Sequence, residues 1–226
     1  LDCSTKKDVA VAREMAEKSG WQVVAKAEDA DMIWEGPMLK PDAGCYRSGL
    51  LPHQRMNYYP GVKVITQKCE LSRILNRAQK LYPEVAELQD GIPRTFSLPA
   101  EASAFRAHAK ECAEKGGKNN RPVYVVKPSG GCGGEGIFLS DDYESILGGG
   151  SILGNSQCPK GPAVVQEYLS SPLLLDNLKF DMRLYVAVTS LEPLRFYVHR
   201  EGLARLAVEP YELPTKANFR RLNMHL

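Results

Sequence analysis

Between residues 123 and 139 the chain reads Val-Tyr-Val-Val-Lys127-Pro-Ser129-Gly-Gly-Cys-Gly-Gly-Glu-Gly136-Ile-Phe-Leu, an apolar run, a loop with five glycines and a second apolar run. Gly130, Gly131, Gly133, Gly134 and Gly136 carry no Cβ, so their main-chain N–H groups can approach phosphate oxygens closely, and positive φ angles cost them little. Lys127 adds an ammonium at the foot of the loop. Gly131, Gly133 and Gly136 satisfy G-x-G-x-x-G, but a dinucleotide fingerprint opens a helix and here a strand follows. No Lys follows the glycines as a Walker loop requires. A protein kinase also sets a glycine loop between strands, yet His199-Arg200-Glu201 is not H-R-D and no D-F-G occurs. The segment is therefore a lid over a polyphosphate or, without a ligand, a plain flexible hairpin.

A second group is Lys179-Phe-Asp181-Met-Arg183-Leu-Tyr-Val-Ala-Val188. Strand alternation puts Lys179, Asp181 and Arg183 on one face and Phe180, Met182 and Leu184 on the other. Alone this reads as a solvated sheet face. With Lys127, Arg205 and Lys68 for company, the same cations could converge on one anion through charge-assisted hydrogen bonds of about 1.5–3 kcal/mol each. A third segment, Ala163-Val-Val-Gln166-Glu167-Tyr168-Leu169, is an apolar strand whose last residues could pair with a purine edge or could simply belong to the core.

Positioning these side chains falls to elements that the periodicity predicts. Helices are expected over Asp8–Ser19, closed by Gly20; over Glu70–Leu81, with Leu71, Ile74, Leu75, Ala78 and Leu81 on one face and Pro83 beyond; and over Ala100–Lys115, with Ala102, Phe105, Ala109 and Cys112 inward and Gly116-Gly117 as terminator. Strands are expected at Trp21–Val24, Asp31–Trp34, Val123–Lys127, Gly136–Leu139, Ala163–Leu169, Phe180–Val188 and Arg195–His199, with a short helix over Asp142–Leu147. Residues 36–61 read as an irregular connector and 148–156 as a Gly/Ser-rich loop. The fold class is α+β, a small α/β front part followed by a part dominated by antiparallel strands.

Composition sets the outer bounds. The 226 residues include 43% hydrophobic and 25% charged, ordinary for a globular chain. No apolar run reaches the roughly 20 residues of a bilayer span, and a net charge of +2 gives no global pull toward nucleic acid. Neither a membrane nor a nucleic acid is an expected partner. The six cysteines form no C-x-x-C pair and the four histidines are scattered, so no structural zinc site is expected and a reducing, cytoplasmic setting is. No targeting peptide is visible at Leu1, and the missing initiator Met suggests a fragment.

In order, Gly20-Trp21, Asp31-Met-Ile-Trp34, Gln54-Arg-Met-Asn57, Tyr59-Pro-Gly61, Gln67-Lys68, Arg94-Thr-Phe-Ser-Leu-Pro99, Val126-Lys-Pro-Ser129 with its glycines, Val165-Gln-Glu-Tyr168, Lys179-Phe-Asp-Met-Arg183-Leu-Tyr185 and His199-Arg-Glu-Gly-Leu-Ala-Arg205 resemble the tubulin-tyrosine-ligase-like family of the ATP-grasp superfamily. The similarity extends over nearly the whole chain. It implies an N-terminal α/β domain over 1–65, a central ATP-grasp subdomain over 66–165 and the start of the C-terminal subdomain over 166–226. It also implies an ATP-dependent ligase that joins an amino acid, glutamate first, to a carboxylate of the tubulin or microtubule tail through an acyl phosphate, in the cytoplasm and on the cytoskeleton or cilium. Tyrosine or glycine ligation, a non-catalytic nucleotide- or tubulin-binding module, and a small-molecule ligase are the alternatives. By the same resemblance Lys68 and Lys127 hold ATP phosphates, Ser129, Gly130, Gly131, Gly133, Gly134 and Gly136 cover them, and Gln166 with the main chain of Glu167, Tyr168 and Leu169 seats adenine. Lys179 and Asp181 line the nucleotide site, and Arg183 and Arg205 face the γ-phosphate and the acceptor carboxylate. Glu167 stands where many members carry Lys. The family's Mg²⁺ ligands, an Asp and a Glu-x-Asn, are expected beyond Leu226, so the resemblance implies that this stretch alone is inactive.

Overall fold

The structure is a computed structural model that describes residues 2–3, 10–34, 49–59, 61–85, 90–116, 121–130, 133–148 and 161–225. Gly131, Gly117, the expected helix start at Asp8, and most of the 36–61 connector and the 148–156 loop lie outside the described residues. Two compact units emerge, Leu1–Val64 and Ile65–Leu226.

In the first unit β1 (Asp2–Cys3), β2 (Met32–Trp34) and β3 (Arg55–Met56) form a parallel sheet in the order β1-β2-β3, and α1 spans Ala10–Lys18. The helix buries Ala16 but leaves Val11 and Met15 exposed. Gln54 is buried and ties the unit together: its amide nitrogen donates to the carbonyls of Ala27 (2.7 Å) and Ala30 (2.8 Å), and its oxygen accepts from the Leu51 N–H (3.0 Å). The strand expected at Trp21–Val24 does not form. Gly20 adopts φ +76°, and the Trp21 N–H closes back on the Ala16 carbonyl at 2.9 Å. Trp21 thus completes the C-terminal cap of α1, a bond that a ladder would have needed.

The second unit is built on a four-stranded antiparallel sheet, order β4-β7-β5-β6, from β4 (Thr95–Leu98), β5 (Tyr124–Pro128), β6 (Phe138–Ser140) and β7 (Ala163–Glu167). Alternation gives this sheet two unlike faces. One carries Phe96, Tyr124, Val126, Ala163 and Val165, which with Phe105 and Ala109 of α3 (Ala102–Gly116) and Ile146 of α4 (Tyr143–Gly148) make the hydrophobic core. Phe105 is fully buried, 5.5 Å from Phe96 and edge-on to Tyr124 at 5.0 Å. The other face carries Thr95, Ser97, Val125, Lys127, Val164 and Gln166, and α2 (Lys68–Leu81) lies against it.

The face that α2 turns inward differs from the expectation. Cys69 and Ser72 are buried, whereas Leu71, Ile74 and Leu81 are exposed. Polar contacts decide this orientation: Ser97 Oγ donates to the Cys69 carbonyl (3.2 Å) and Asn76 Nδ2 to the Thr95 carbonyl (3.2 Å).

Beyond β7 come β8 (Leu174–Leu175), β9 (Leu178–Arg183), β10 (Val186–Leu191), β11 (Leu194–Val198), β12 (Leu203–Leu206) and the short helix α5 (Leu222–His225). They form a sheet of order β12-β9-β8 and a β10-β11 hairpin. The single strand expected over Phe180–Val188 is two strands with different partners. Gly202 marks the break, since a Cβ there would lie 2.6 Å from the Arg183 carbonyl oxygen, a clash only glycine avoids.

Candidate functional site

Lys127 sits near the end of β5 with its side chain on the α2 face of the sheet, where its Nζ donates to Gln166 Oε1 at 2.8 Å. Gln166 is in turn oriented by donating from Nε2 to Thr95 Oγ1 at 2.8 Å. Both residues, with Lys68 and Thr95, line a hollow of about 730 Å³ between α2 and the sheet, inside the usual range for small-molecule sites. Ser129 and Gly130 line a neighbouring hollow of about 350 Å³. The Ser129 N–H donates to the Pro162 carbonyl (2.8 Å) and its Oγ accepts from the Cys69 N–H (3.5 Å), so the loop base is fixed to the start of α2. Gly133, Gly134 and Gly136 take φ of +69°, +82° and +71°. At Gly136 a Cβ would also meet Pro128 Cγ at 2.9 Å.

Charge is what marks the first hollow. Burial pushes the Lys127 ammonium below the ordinary lysine range, and the like charge of Lys68 pushes it further. Burial does the same to Lys179, with Lys127 adding to the depression and Asp181 opposing it. Lys127 is thus the ammonium that links the other two, repelled by Lys68 and repelling Lys179. Among the described residues Lys127 pairs with no carboxylate; its partner is a neutral amide. Cations held together in partial burial against their own repulsion are a site for an anion.

Lys179 is positioned by contacts that the strand pattern did not foretell. Its Nζ donates to the His225 carbonyl (2.5 Å) and to Tyr168 Oη (3.3 Å), and lies over the Tyr168 ring 4.7 Å from its centroid. Tyr168 Oη meets His225 Nδ1 at 2.9 Å, which draws α5 to the end of β7. Burial, then the Tyr211 hydroxyl, raises the Tyr168 phenol well above its ordinary value, so it stays neutral. The N–H groups of Glu167 and Tyr168 already donate to the Arg94 (3.0 Å) and Val123 (2.9 Å) carbonyls. Leu169 follows them, exposed.

Asp181 and Arg205 face each other across β9 and β12 and form a bidentate pair, Nε to Oδ1 at 2.7 Å and Nη2 to Oδ2 at 2.5 Å. Hydrogen bonding to Arg205 holds the Asp181 carboxyl below its usual range, with Arg183 and Lys179 contributing. Both partners are 57% exposed. Arg183 follows two residues later on the same strand face. The structure therefore gathers Lys68, Lys127 and Gln166 around the first hollow, whereas Lys179, Asp181, Arg183 and Arg205 line neither hollow and Lys179 is linked to Lys127 by charge alone. Thr95 and His225 are the positioning residues that sequence reasoning missed, and Tyr168, expected to act through its main chain, positions Lys179 through its hydroxyl. Thr95 and Tyr168 carried a signal, in the Arg94–Pro99 and Val165–Tyr168 segments already singled out.

Residues 47–226, which include every one of these side chains, match the model of the tubulin-tyrosine ligase family. This chain belongs to the tubulin-tyrosine ligase family. The tubulin-tyrosine ligase family chain is 40% identical over 172 residues to the human "Tubulin polyglutamylase TTLL11", covering 76% of this chain and 23% of that protein. It is 38% identical over 214 residues to the human "Tubulin polyglutamylase TTLL13", covering 95% and 23%. To the "Probable beta-tubulin polyglutamylase" of Tetrahymena thermophila it is 31% identical over 208 residues, covering 91% and 16%. The chain thus spans about a quarter or less of the length of these relatives. Among the described residues no helix of this tubulin-tyrosine ligase family chain is long and apolar enough to cross a membrane.

Proposed function

We propose that the protein carrying this sequence is an ATP-dependent carboxylate–amine ligase that adds glutamate to a carboxylate of the tubulin tail. The observation that carries this reading is the Lys127 ammonium, which lines a hollow of about 730 Å³, bonds a neutral amide, pairs with no carboxylate among the described residues and is repelled by Lys68. The relatives named polyglutamylases favour glutamate over tyrosine or glycine.

The residues fit a nucleotide polyphosphate on their own chemistry: a partly buried Lys127 ammonium bonded to a neutral amide and repelled by Lys68, and loop glycines at positive φ. In this reading residues 66–165 and 166–226 are the central and the first part of the C-terminal ATP-grasp subdomain, and 1–65 the N-terminal domain. ATP, with Mg²⁺, supplies the phosphoryl group that turns an unreactive carboxylate into an acyl phosphate which an amine can displace. Lys68 and Lys127 hold the phosphates, with Gln166 orienting Lys127. Gly130, Gly133, Gly134 and Gly136 cover them with main-chain N–H groups. Ser129, whose own N–H is engaged by the Pro162 carbonyl, offers its hydroxyl at the loop base, and Gly131, outside the described residues, is assigned to the same loop by the family resemblance. Since the Glu167 and Tyr168 N–H groups are engaged, adenine pairs with what the main chain still offers through Leu169. Lys179 and Asp181 border the nucleotide, and Arg183 and Arg205 receive negative charge at the γ-phosphate and the acceptor carboxylate. Arg205 meets that charge with the N–H groups its Asp181 pair leaves over or by releasing Asp181, an inexpensive step for an exposed pair. Cytoplasmic work on microtubules or cilia follows from that substrate.

Incubating the protein with labelled glutamate, Mg-ATP and tubulin tests the reading. Label should enter tubulin, depend on ATP and disappear when the acidic tails are removed by protease. Incorporation of labelled tyrosine or glycine instead of glutamate would overturn the donor assignment, and ATP-dependent labelling of a different acceptor would overturn the tubulin assignment.

A further inference from the structure

A second constellation lies on the opposite face of the four-stranded sheet from Lys127 and Gln166. α3 carries His108 and Cys112 one helical turn apart, and β7 ends in Glu167, which is paired in register with Tyr124 of β5. His108 Nε2 lies 2.6 Å from Glu167 Oε1 and 3.5 Å from Cys112 Sγ, which lies 3.8 Å from Nδ1, so Nε2 is the ring nitrogen nearer the thiol and the one beside the carboxylate. The three donor atoms all lie within 4.8 Å of one another and are half-buried. Cys112 is a free thiol.

An independent feature points into the same place. The Tyr124 hydroxyl is buried and has no hydrogen-bond partner among the described residues. Burial raises its pKa most, and the charges of Cys112 and Glu167 raise it further, which places the hydroxyl within electrostatic reach of both. An orphaned hydroxyl in a core is unfavourable unless something polar joins it.

We propose that His108 Nε2, Cys112 Sγ and the Glu167 carboxylate bind a divalent cation of the zinc type, with the Tyr124 hydroxyl hydrogen-bonded to the water that completes its coordination. Nitrogen, sulfur and carboxylate oxygen are the donors such a cation takes. With Zn–N of about 2.05 Å and Zn–S of about 2.3 Å, a tetrahedral angle separates the two donors by about 3.5 Å, the spacing His108 and Cys112 already have. The Nε2–Oε1 separation must open from 2.6 Å to about 3.3 Å, a small movement for a carboxylate that is partly exposed. On binding, the thiol proton leaves to solvent and the imidazole carries its proton on Nδ1 in place of Nε2. The cation clips α3 to the end of β7, so its role is structural and it does not touch the hollow beside Lys127.

Cobalt(II) titrated into the purified 226-residue chain is the probe. A sulfur-to-cobalt charge-transfer band should rise to saturation and be displaced by zinc. It should be absent in Cys112→Ser and intact in Cys69→Ser. His108→Gln and Glu167→Gln should each weaken zinc binding by at least about 10-fold, the least that loss of even an outer-shell partner gives. Should Cys112→Ser not fold, alkylation of Cys112 in the unaltered chain, read by peptide mass, serves in its place, and zinc should slow it. No thiolate band, a band that survives Cys112→Ser, an alkylation rate that zinc leaves unchanged, or a folded His108→Gln chain with undiminished affinity would each overturn the site.

Discussion

Lys127 is held in the folded chain at an electrostatic cost, and that cost is what a polyanion would relieve. Its neighbours are a neutral amide and like charges. Lys127→Met should therefore leave the melting temperature of the ligand-free chain unchanged or higher. It should also weaken Mg-ATP binding about 10- to 100-fold, the equivalent of one charge-assisted hydrogen bond; thermal shift with and without nucleotide reads both. The pH dependence has a definite sign. Lys127 and Lys179 are depressed in the native state relative to the unfolded chain, so between the depressed and the ordinary lysine pKa the unfolded state binds more protons. Stability then rises with pH across that window. Urea unfolding from neutral pH to about pH 10 should show this rise, and Lys127→Met with Lys179→Met should flatten it. Tyr124, Tyr168 and Cys112, raised in the native state, act with the opposite sign near the top of the interval and are common to both chains. The lysine contribution is therefore the difference between the unaltered chain and the double variant, and a difference that falls with pH would contradict the charge arrangement.

At the scale of elements, the loop between β5 and β6 depends on backbone conformations that only some of its glycines need. Gly136 combines φ +71° with a Cβ position 2.9 Å from Pro128 Cγ. Gly136→Ala should cost about 1–2 kcal/mol from the left-handed conformation alone, with the proline contact adding to it. Gly130 has neither constraint, so Gly130→Ala should be close to neutral in the same unfolding measurement. The sheet–helix core behaves differently, because Phe105 is wholly enclosed by Phe96, Tyr124 and their neighbours. Phe105→Ala should cost about 3–5 kcal/mol. By contrast the Asp181–Arg205 pair across β9 and β12 is exposed on both sides, and Asp181→Asn should change stability by less than about 1 kcal/mol. Calorimetric unfolding of the variants would separate these cases.

Considered as a whole, every described cation and loop residue of the candidate nucleotide site lies within Ile65–Leu226. The first unit, Leu1–Val64, supplies none of them. Residues 65–226 produced alone should accordingly bind Mg-ATP with the affinity of the 226-residue chain, read by the same thermal shift. A large loss would mean that the first unit contributes a ligand.

Much of this was legible from residue order. Family membership followed from short motifs whose sequence along the chain is hard to produce by chance. The antiparallel strands and the α3 helix followed from period-2 and period-3.6 burial, because a core accepts apolar side chains from one face of an element. Tertiary structure decided the rest. The inward face of α2 was set by Ser97 and Asn76 hydrogen bonds rather than by its apolar stripe, and Trp21 went to a helix cap because Gly20 turned the chain. Asp181 met Arg205 because strand register brings together residues far apart in sequence. His108, Cys112, Tyr124 and Glu167 share no motif along the chain. A helical turn and a cross-strand pair put them within reach of one another, and periodicity carries no information about contacts between elements.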